Sequence, residues 1–338
     1  MTDVLTPERA DPRRGRLALA AKILIGLAVL AWVLAEMDWT SFGLHVREIS
    51  WPLFAVLVVM AWIDRGLMAY KWNLLLRANG VVLTTMRALR LYLVSNLLGA
   101  LTPGGLGGDA YRVLALSPLG KSAAVFSTVV LERVAGLLSI LIFVLAALPF
   151  SASYFGSGAW TVTVVAIGAV LVLLAVLTLP VAGRLRSWAD RRWAQPRGKV
   201  LRSIRRAVVA WAEMQNNRRV VLAFVGLTLL DTGFFIFMTY VSARVAGVPV
   251  SFGFILITMP VVHFLLRLPV SIQGIGIQEG LFAYVLGLAG FSVAQGVVMS
   301  LVWRLMTIVG IFLPGYVLML RSPVRVRADG QALEGLDE

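Results

Sequence analysis

Leu101-Thr102-Pro103-Gly104-Gly105-Leu106-Gly107-Gly108-Asp109 interrupts an otherwise apolar segment, Ala88 to Gly108. Proline lacks the N–H that a helix interior needs, and clustered glycines carry the largest backbone entropy cost, so this string cannot continue an undisturbed helix. A second apolar segment, Phe252 to Tyr284, is broken in the same way by Pro269-Val270-Ser271-Ile272-Gln273-Gly274-Ile275-Gly276-Ile277-Gln278-Glu279. Non-helical backbone at membrane depth is tolerated only where protein or a water-filled cavity satisfies its polar groups. Both segments are therefore expected to be re-entrant, with their breaks lining a site.

The rest of the chain supplies the membrane context. Hydrophobic residues make up 59% of 338 positions and charged residues 14%, against about 25% charged in soluble domains. Mean hydropathy is +0.86, which excludes an ordinary globular enzyme. About 20 apolar residues cross the hydrocarbon as a helix. Full spans are expected at Leu17–Ala35, Trp51–Tyr70, Ser122–Leu148, Ala159–Val181, Val220–Ala243 and Ser292–Leu320. The first follows Arg13, Arg14 and Arg16 but runs long and lacks a small-residue cleavage site, so it reads as a retained helix. With no cysteine and only His45 and His263, redox and zinc chemistry are not expected.

The net charge of +14 sits in loops rather than on a nucleic-acid-binding face. Gly183 to Val220 carries Arg184, Arg186, Arg191, Arg192, Arg197, Lys199, Arg202, Arg205, Arg206, Arg218 and Arg219 against Asp190 and Glu213. Short loops rich in Lys and Arg stay inside. Lys71, Arg77, Arg87 and Arg90 mark the same side, as do Arg321, Arg325 and Arg327. The loop with Glu36, Asp38 and Glu48, and the uncharged stretch Pro149 to Gly158, fit the outside. Both termini are then cytoplasmic. Leu201, Ile204, Val208 and Trp211 recur at helical spacing among the arginines, as in a helix lying along acidic headgroups.

The chain also repeats itself. At an offset of 167, Asp64 meets Asp231, Gly66 meets Gly233, and Arg77-Ala78-Asn79-Gly80-Val81 meets Arg244-Val245-Ala246-Gly247-Val248. With small insertions Pro103 meets Pro269, Asp109 meets Glu279 and Arg133 meets Arg304. Each half holds two spans, a re-entrant segment and a third span, and an odd count sends the second half in from the opposite face. The expected architecture is an all-α polytopic membrane protein of two inverted repeats, with about six full transmembrane helices and two re-entrant broken segments. Residues 1–16 form an N-terminal tail, 17–148 the first repeat, 149–320 the second with its basic segment 184–219, and 321–338 a C-terminal tail.

Charges inside spans cost about 2.5 to 3.5 kcal/mol each, which makes them functional candidates. Asp64, Arg65, Glu132, Arg133, Asp231, Arg267, Glu279 and Arg304 lie in or beside apolar segments, with Asp109 and Arg112 after the first break. In one reading the acids merely neutralise the arginines in buried networks. In the other, Arg133 and Arg304 face a central cavity and hold a phosphate with their planar forks, helped by Arg112, Arg267 and the backbone of Pro103, Gly104, Gly108 and Gly276. Asp109 and Glu279 then gate the path or are released as counter-charges, within a network of Asp64, Arg65, Glu132 and Asp231. No G-x-x-x-x-G-K-[ST] string is present, so transport must be passive or ion-coupled. Trp32, Trp39, Trp51, Trp62, Trp72 and Trp160 read as interface anchors.

The strings Leu101 to Arg112, Leu131-Glu132-Arg133 and Gly274 to Glu279 resemble the flippase-like transmembrane domain of lysylphosphatidylglycerol synthases, over about Leu17 to Leu320. Pro103, Gly104, Gly108, Asp109, Arg112, Glu132, Arg133, Gly276 and Glu279 fall on its motif positions. In bifunctional members this domain moves aminoacylated phospholipids between leaflets, while a soluble domain attaches the amino acid. The resemblance implies a stand-alone translocator in a bacterial inner membrane, neither a synthase nor any other enzyme, with no cofactor. Its cargo would be an anionic phospholipid or a polyprenyl- or hopanoid-type lipid.

Beside membrane lipids, a homo-oligomer and a lipid-modifying enzyme are the partners compatible with this reading, and nucleic acid is not. The competing reading is a scaffold that regulates such an enzyme through the basic face, with structural intramembrane charges. An intramembrane transferase would need an acid–base pair, for which Asp64 with Glu132 is the sole candidate. Because the chain has no native cysteine, Arg205→Cys supplies a unique thiol. A membrane-impermeant maleimide should label it in inverted inner-membrane vesicles and leave it unlabelled in intact spheroplasts.

Overall fold

The computed structural model describes residues 24, 27–102, 105–155, 168, 218–266 and 274–321. The expected span Ala159–Val181 and the basic segment 184–219 lie almost wholly outside these residues. The described residues are helical and include no strand. Helix α1 (Leu27–Ala35) bends by 95° into α2 (Trp39–Arg47). There follow α3 (Trp51–Ala78), α4 (Thr85–Ala100), α5 (Leu106–Ala115), α6 (Ser122–Phe155), α7 (Arg218–Val245), α8 (Phe252–Leu266), α9 (Ile277–Leu288) and α10 (Val293–Thr307). A π-turn at Ile308–Phe312 joins α10 to α11 (Leu313–Arg321). Trp51–Ala78, Ser122–Ala147, Arg219–Val245 and Val293–Arg321 are long and apolar enough to cross a bilayer, and the bent pair α1–α2 raises four candidates to five.

Helix bounds recur along the chain. α3 and α7 are offset by 167 at both ends, 51 to 218 and 78 to 245. Each stops at a glycine in the left-handed region, Gly80 (φ 70°) and Gly247 (φ 69°). In each stop the following residue donates back to a carbonyl five residues earlier, Val81 N to Leu76 O and Val248 N to Ala243 O, both 2.9 Å. This is the glycine-terminated C-cap that closes off orphan carbonyls. α4 and α8 begin at the same offset, 85 to 252, and α5 and α9 begin 171 apart, 106 to 277.

α3 and α7 pack against each other in antiparallel directions. At one end Ser50 N, just before α3, donates to Val245 O at the end of α7 (3.0 Å). Farther along, Lys71 Nζ reaches Asp231 Oδ2 (2.8 Å), and Leu75 packs with Phe224. The main core lies between α3, α7, α8, α9 and α10, around Leu57, Ile236, Phe254, Phe282 and Met299.

The sequence misplaces several boundaries. α3 does not end at Tyr70 but runs to Ala78, which puts Lys71 and Trp72 inside it, both buried. Lys71 is therefore no loop charge, and Trp72, with no exposure, is no interface anchor. The expected outside loop after the first span contains α2, capped by Asp38, whose carboxylate accepts from Thr40 N (3.0 Å). α6 continues through Pro149 to Phe155, where a loop was expected. α4, α5, α8 and α9 have 16, 10, 15 and 12 residues, short of the roughly 20 needed to cross hydrocarbon alone.

Close helix contacts rest on missing side chains. A Cβ on Gly296 of α10 would sit 2.4 Å from Ala283 Cα of α9. Membrane helices associate through such small-residue contacts, without a hydrophobic drive between them. Gly296→Val should lower stability by about 1–3 kcal/mol, the usual scale of overpacking, read as a lower melting temperature in detergent. An unchanged melting temperature would mean that α9 and α10 are not held this closely.

Candidate functional site

Each half carries the same acid–arginine pair across its break. In the first, Gly105 takes φ 74° and caps α5, while Thr102 Oγ1 accepts from Gly107 N (2.7 Å). Asp109, in the first turn of α5, receives Arg133 Nε of α6 (2.8 Å) and also the Arg133 terminal nitrogen. In the second, Gly276 takes φ 79° and caps α9, and its N–H donates to Glu279 Oε2 (2.8 Å). Arg304 of α10 donates to Glu279 Oε1 from Nε (2.9 Å) and Nη2 (2.6 Å). The repeat-aligned residues Asp109/Glu279 and Arg133/Arg304 thus form equivalent bonds.

The halves differ around these pairs. Arg112 is buried, donates to Asp109 Oδ1 (2.7 Å), and is paired with Glu132. Its guanidinium lies over the rings of Trp72 (5.2 Å) and Tyr92 (5.0 Å). At the repeat positions 282 and 303 the second half has Phe282 and Trp303, so this polar network has no charged counterpart there. Arg112 Nε and Glu132 Oε1 remain buried without a hydrogen bond.

Deeper in the helix bundle, α3 supplies both cations of a second set. Asp64 is bound by its neighbour Arg65, and Asp231 on α7 is bound by Lys71 (2.8 Å). Asp64 and Asp231 are repeat equivalents, but Arg65 and Lys71 align with Thr232 and Met238. The second aspartate therefore takes its partner from the other half. Asp64 and Arg65, with Asn96, Phe235 and Trp303, line a cavity of about 300 Å³.

A larger cavity, about 560 Å³, lies between α1, α2, α4, α9 and α10 and is almost wholly apolar; Glu279 and Arg304 are its charged lining residues. A third, about 310 Å³, is bounded by Ile49, Trp51, Phe54 and Leu305 and shares Arg304 with the larger one. Arg133 lines none of these three cavities, and its side chain is 47% exposed beside Gly105. A single cavity flanked by both arginines is thus not among them.

The other expected site residues fall as follows. Gly108 is a packing position: a Cβ there would meet Ser95 O of α4 at 2.2 Å. Pro103, Gly104 and Arg267 lie outside the described residues. Asp64 and Glu132 bind different cations, Arg65 and Arg112. The sequence reading missed Lys71, although its spacing of seven from Asp64 puts both on one helix face.

The family model described as lysylphosphatidylglycerol synthase TM region matches residues 19–315. The chain belongs to that family. The lysylphosphatidylglycerol synthase transmembrane region is a multi-pass membrane domain linked to lipid handling, in keeping with the apolar helices and ion-paired breaks seen here. No curated protein and no solved structure matches the chain.

Removing one partner of a buried pair leaves an uncompensated charge, at a cost of about 3–5 kcal/mol. Lys71→Met should therefore lower the melting temperature sharply, and adding Asp231→Asn should recover most of the loss. Equal melting temperatures for single and double variants would show that the pair does not couple α3 to α7.

Proposed function

We propose that this protein is an ATP-independent lipid translocase, which carries an anionic phospholipid or lipid-linked substrate between leaflets. The observation that carries the reading is the repeated pair: a guanidinium held by one carboxylate, next to a glycine-capped helix break, once in each half. A phosphate matches the guanidinium fork and can take the place of Asp109 or Glu279 on Arg133 or Arg304. The released carboxylate then repels the anion and favours its departure. Each break offers a local exchange of partners, so that a charged headgroup need not cross bare hydrocarbon.

In this proposal the two halves have opposite orientations in the membrane. The antiparallel packing of the repeat-related α3 and α7 supports that arrangement. Transporters built from inverted repeats bind cargo where discontinuous helices of the two halves meet. The arginine-rich loops support an orientation with both termini in the cytoplasm, and the bacterial inner membrane is the setting that the family resemblance implies. The regulatory-scaffold reading has one observation in its favour, the buried and doubly paired Arg112, whose stacking between rings suits a structural part.

Purified protein in liposomes with a fluorescent phosphatidylglycerol should make inner-leaflet label accessible to an impermeant quencher, faster than in empty liposomes. Arg304→Gln and Arg133→Gln should each slow this by about tenfold or more, since a lost charge-assisted bond is worth about 1.5–3 kcal/mol. A rate equal to that of empty liposomes, with and without a proton gradient, would overturn the translocase reading.

A further inference from the structure

Four ionised groups meet at the first break, Asp109 and Arg112 on α5 with Glu132 and Arg133 on α6, and their charges cancel. The two arginines divide the acids unevenly. Arg133 grips Asp109 with both Nε and Nη2, whereas Arg112 gives one nitrogen to Asp109 and one to Glu132. The rings of Trp72 and Tyr92 fix the Arg112 guanidinium in place. Glu132 bonds Arg112 through Oε2 alone; its Oε1 is buried without a hydrogen bond. The exchange of partners proposed above gives Glu132 no part.

An anion arriving on Arg133 releases Asp109 from that fork but not from Arg112. Arg112 then faces two carboxylates, and the network carries one surplus negative charge, which is costly away from water. One proton restores neutrality. Asp109 lies in the first turn of α5, where the positive helix end favours a negative charge. Glu279 has the same support in the first turn of α9, and it also accepts Gly276 N (2.8 Å). Glu132 lies well inside α6, away from both helix ends, and has no such support.

We propose that Glu132 takes up one proton, at Oε1, when Arg133 receives an anionic headgroup, so that the first break couples anion exchange to protons. The proton comes from water and returns to it, and no covalent bond of the cargo changes. With Glu132 neutral, Arg112 serves Asp109 alone and keeps it off Arg133, so the proton favours the loaded state. By linkage the anion favours the proton to the same degree. Loss of the proton restores the surplus charge and drives the anion off. Phe282 and Trp303 stand where the first half has Arg112 and Glu132, so exchange at Arg304 carries no such proton. The inference rests on the translocase reading and names its coupling ion.

Other titratable groups on the helices around α6 have partners or places of their own. Tyr92 of α4 lies within electrostatic reach of Glu132, Arg112, Arg65 and Asp231. On α3 and α7, Arg65 is bound to Asp64 and Lys71 to Asp231. Tyr111 of α5 packs in an apolar cluster, and His263 of α8 lies against Phe235 and Trp303.

The test is calorimetric titration of the full chain in detergent with dioctanoyl phosphatidylglycerol, in two buffers of different ionisation enthalpy. This reads affinity and proton uptake together and involves no translocation. Wild type should take up as much as about one proton per chain at saturation, and its affinity should fall as pH rises, by up to about tenfold per pH unit. Arg304→Gln should keep this uptake. Arg133→Gln and Glu132→Gln should each abolish it, and the affinity of Glu132→Gln should no longer vary with pH. Lipid binding without proton uptake, at every pH where the chain stays folded, would overturn the proposal. Undiminished uptake in Glu132→Gln, or its loss in Arg304→Gln, would overturn it too. The wild-type measurement needs no variant, so poor folding of Glu132→Gln does not spare it. Binding without uptake would sink this inference alone, uptake without translocation in liposomes would sink the transport reading alone, and no binding at all would sink both.

Discussion

A charge carried into hydrocarbon must bring its opposite with it, and the architecture follows that constraint from end to end. Asp109 with Arg133 and Glu279 with Arg304 each tie the short helix after a break to the long helix that follows it. Lys71 with Asp231 ties α3 to α7. The glycine-rich breaks persist beside these pairs because the freed backbone is taken up locally. Thr102 receives Gly107 N, and Glu279 receives Gly276 N. Glu279 therefore satisfies a backbone donor with one oxygen and a guanidinium with the other.

The repeat does not make the halves chemically equal. Around the pair in the first half sits a second arginine, stacked on Trp72 and Tyr92 and bound by Glu132; around the other pair lie Phe282 and Trp303. The first half is thus held together by polar groups, whereas the second opens onto apolar cavities. α3 gives cations to both Asp64 and Asp231, so the second half depends on the first for charge balance. An anion approaching the bundle meets two equivalent forks in unlike surroundings, Arg133 exposed beside a glycine and Arg304 mostly covered.

Much of this was legible in the sequence. Gly80 and Gly247 fall at matching helix ends because only a residue without Cβ accepts the left-handed stop without penalty, and the self-alignment found both. Aligning Asp109 with Glu279 and Arg133 with Arg304 identified equivalent residues, and one reading had such acids neutralise the arginines, but which acid holds which arginine depends on contacts between helices that the sequence does not display. The span ending at Tyr70 failed because Lys71 was read as the first charge of a loop, while the helix continues to Ala78, where it is capped. Lys71 and Trp72 are buried by Asp231, Thr128 and Arg112, contacts far away in sequence. α2 was missed because its nine residues are far too few to register in a search for membrane spans. Its start is set by the Asp38 cap, in a loop whose acids were read only as a topology mark.

The π-turn at Ile308–Phe312 ends two residues before Pro314, which has no N–H to offer the turn behind it. A π-turn accommodates one residue more than an α-turn, and each residue of an α-helix advances the azimuth by about 100°. The helix therefore changes angular phase between its two parts. Gly310 meets Ala61 of α3, and Gly315 meets Leu93 of α4, where a Cβ would come within 2.7 Å of the carbonyl oxygen. One continuous rod is thereby keyed to two different neighbours, with a residue lacking Cβ at each key. Adding or removing one residue between them would turn the second key by about 100° away from its neighbour, so this stretch is fixed in length like the tooth count of a gear.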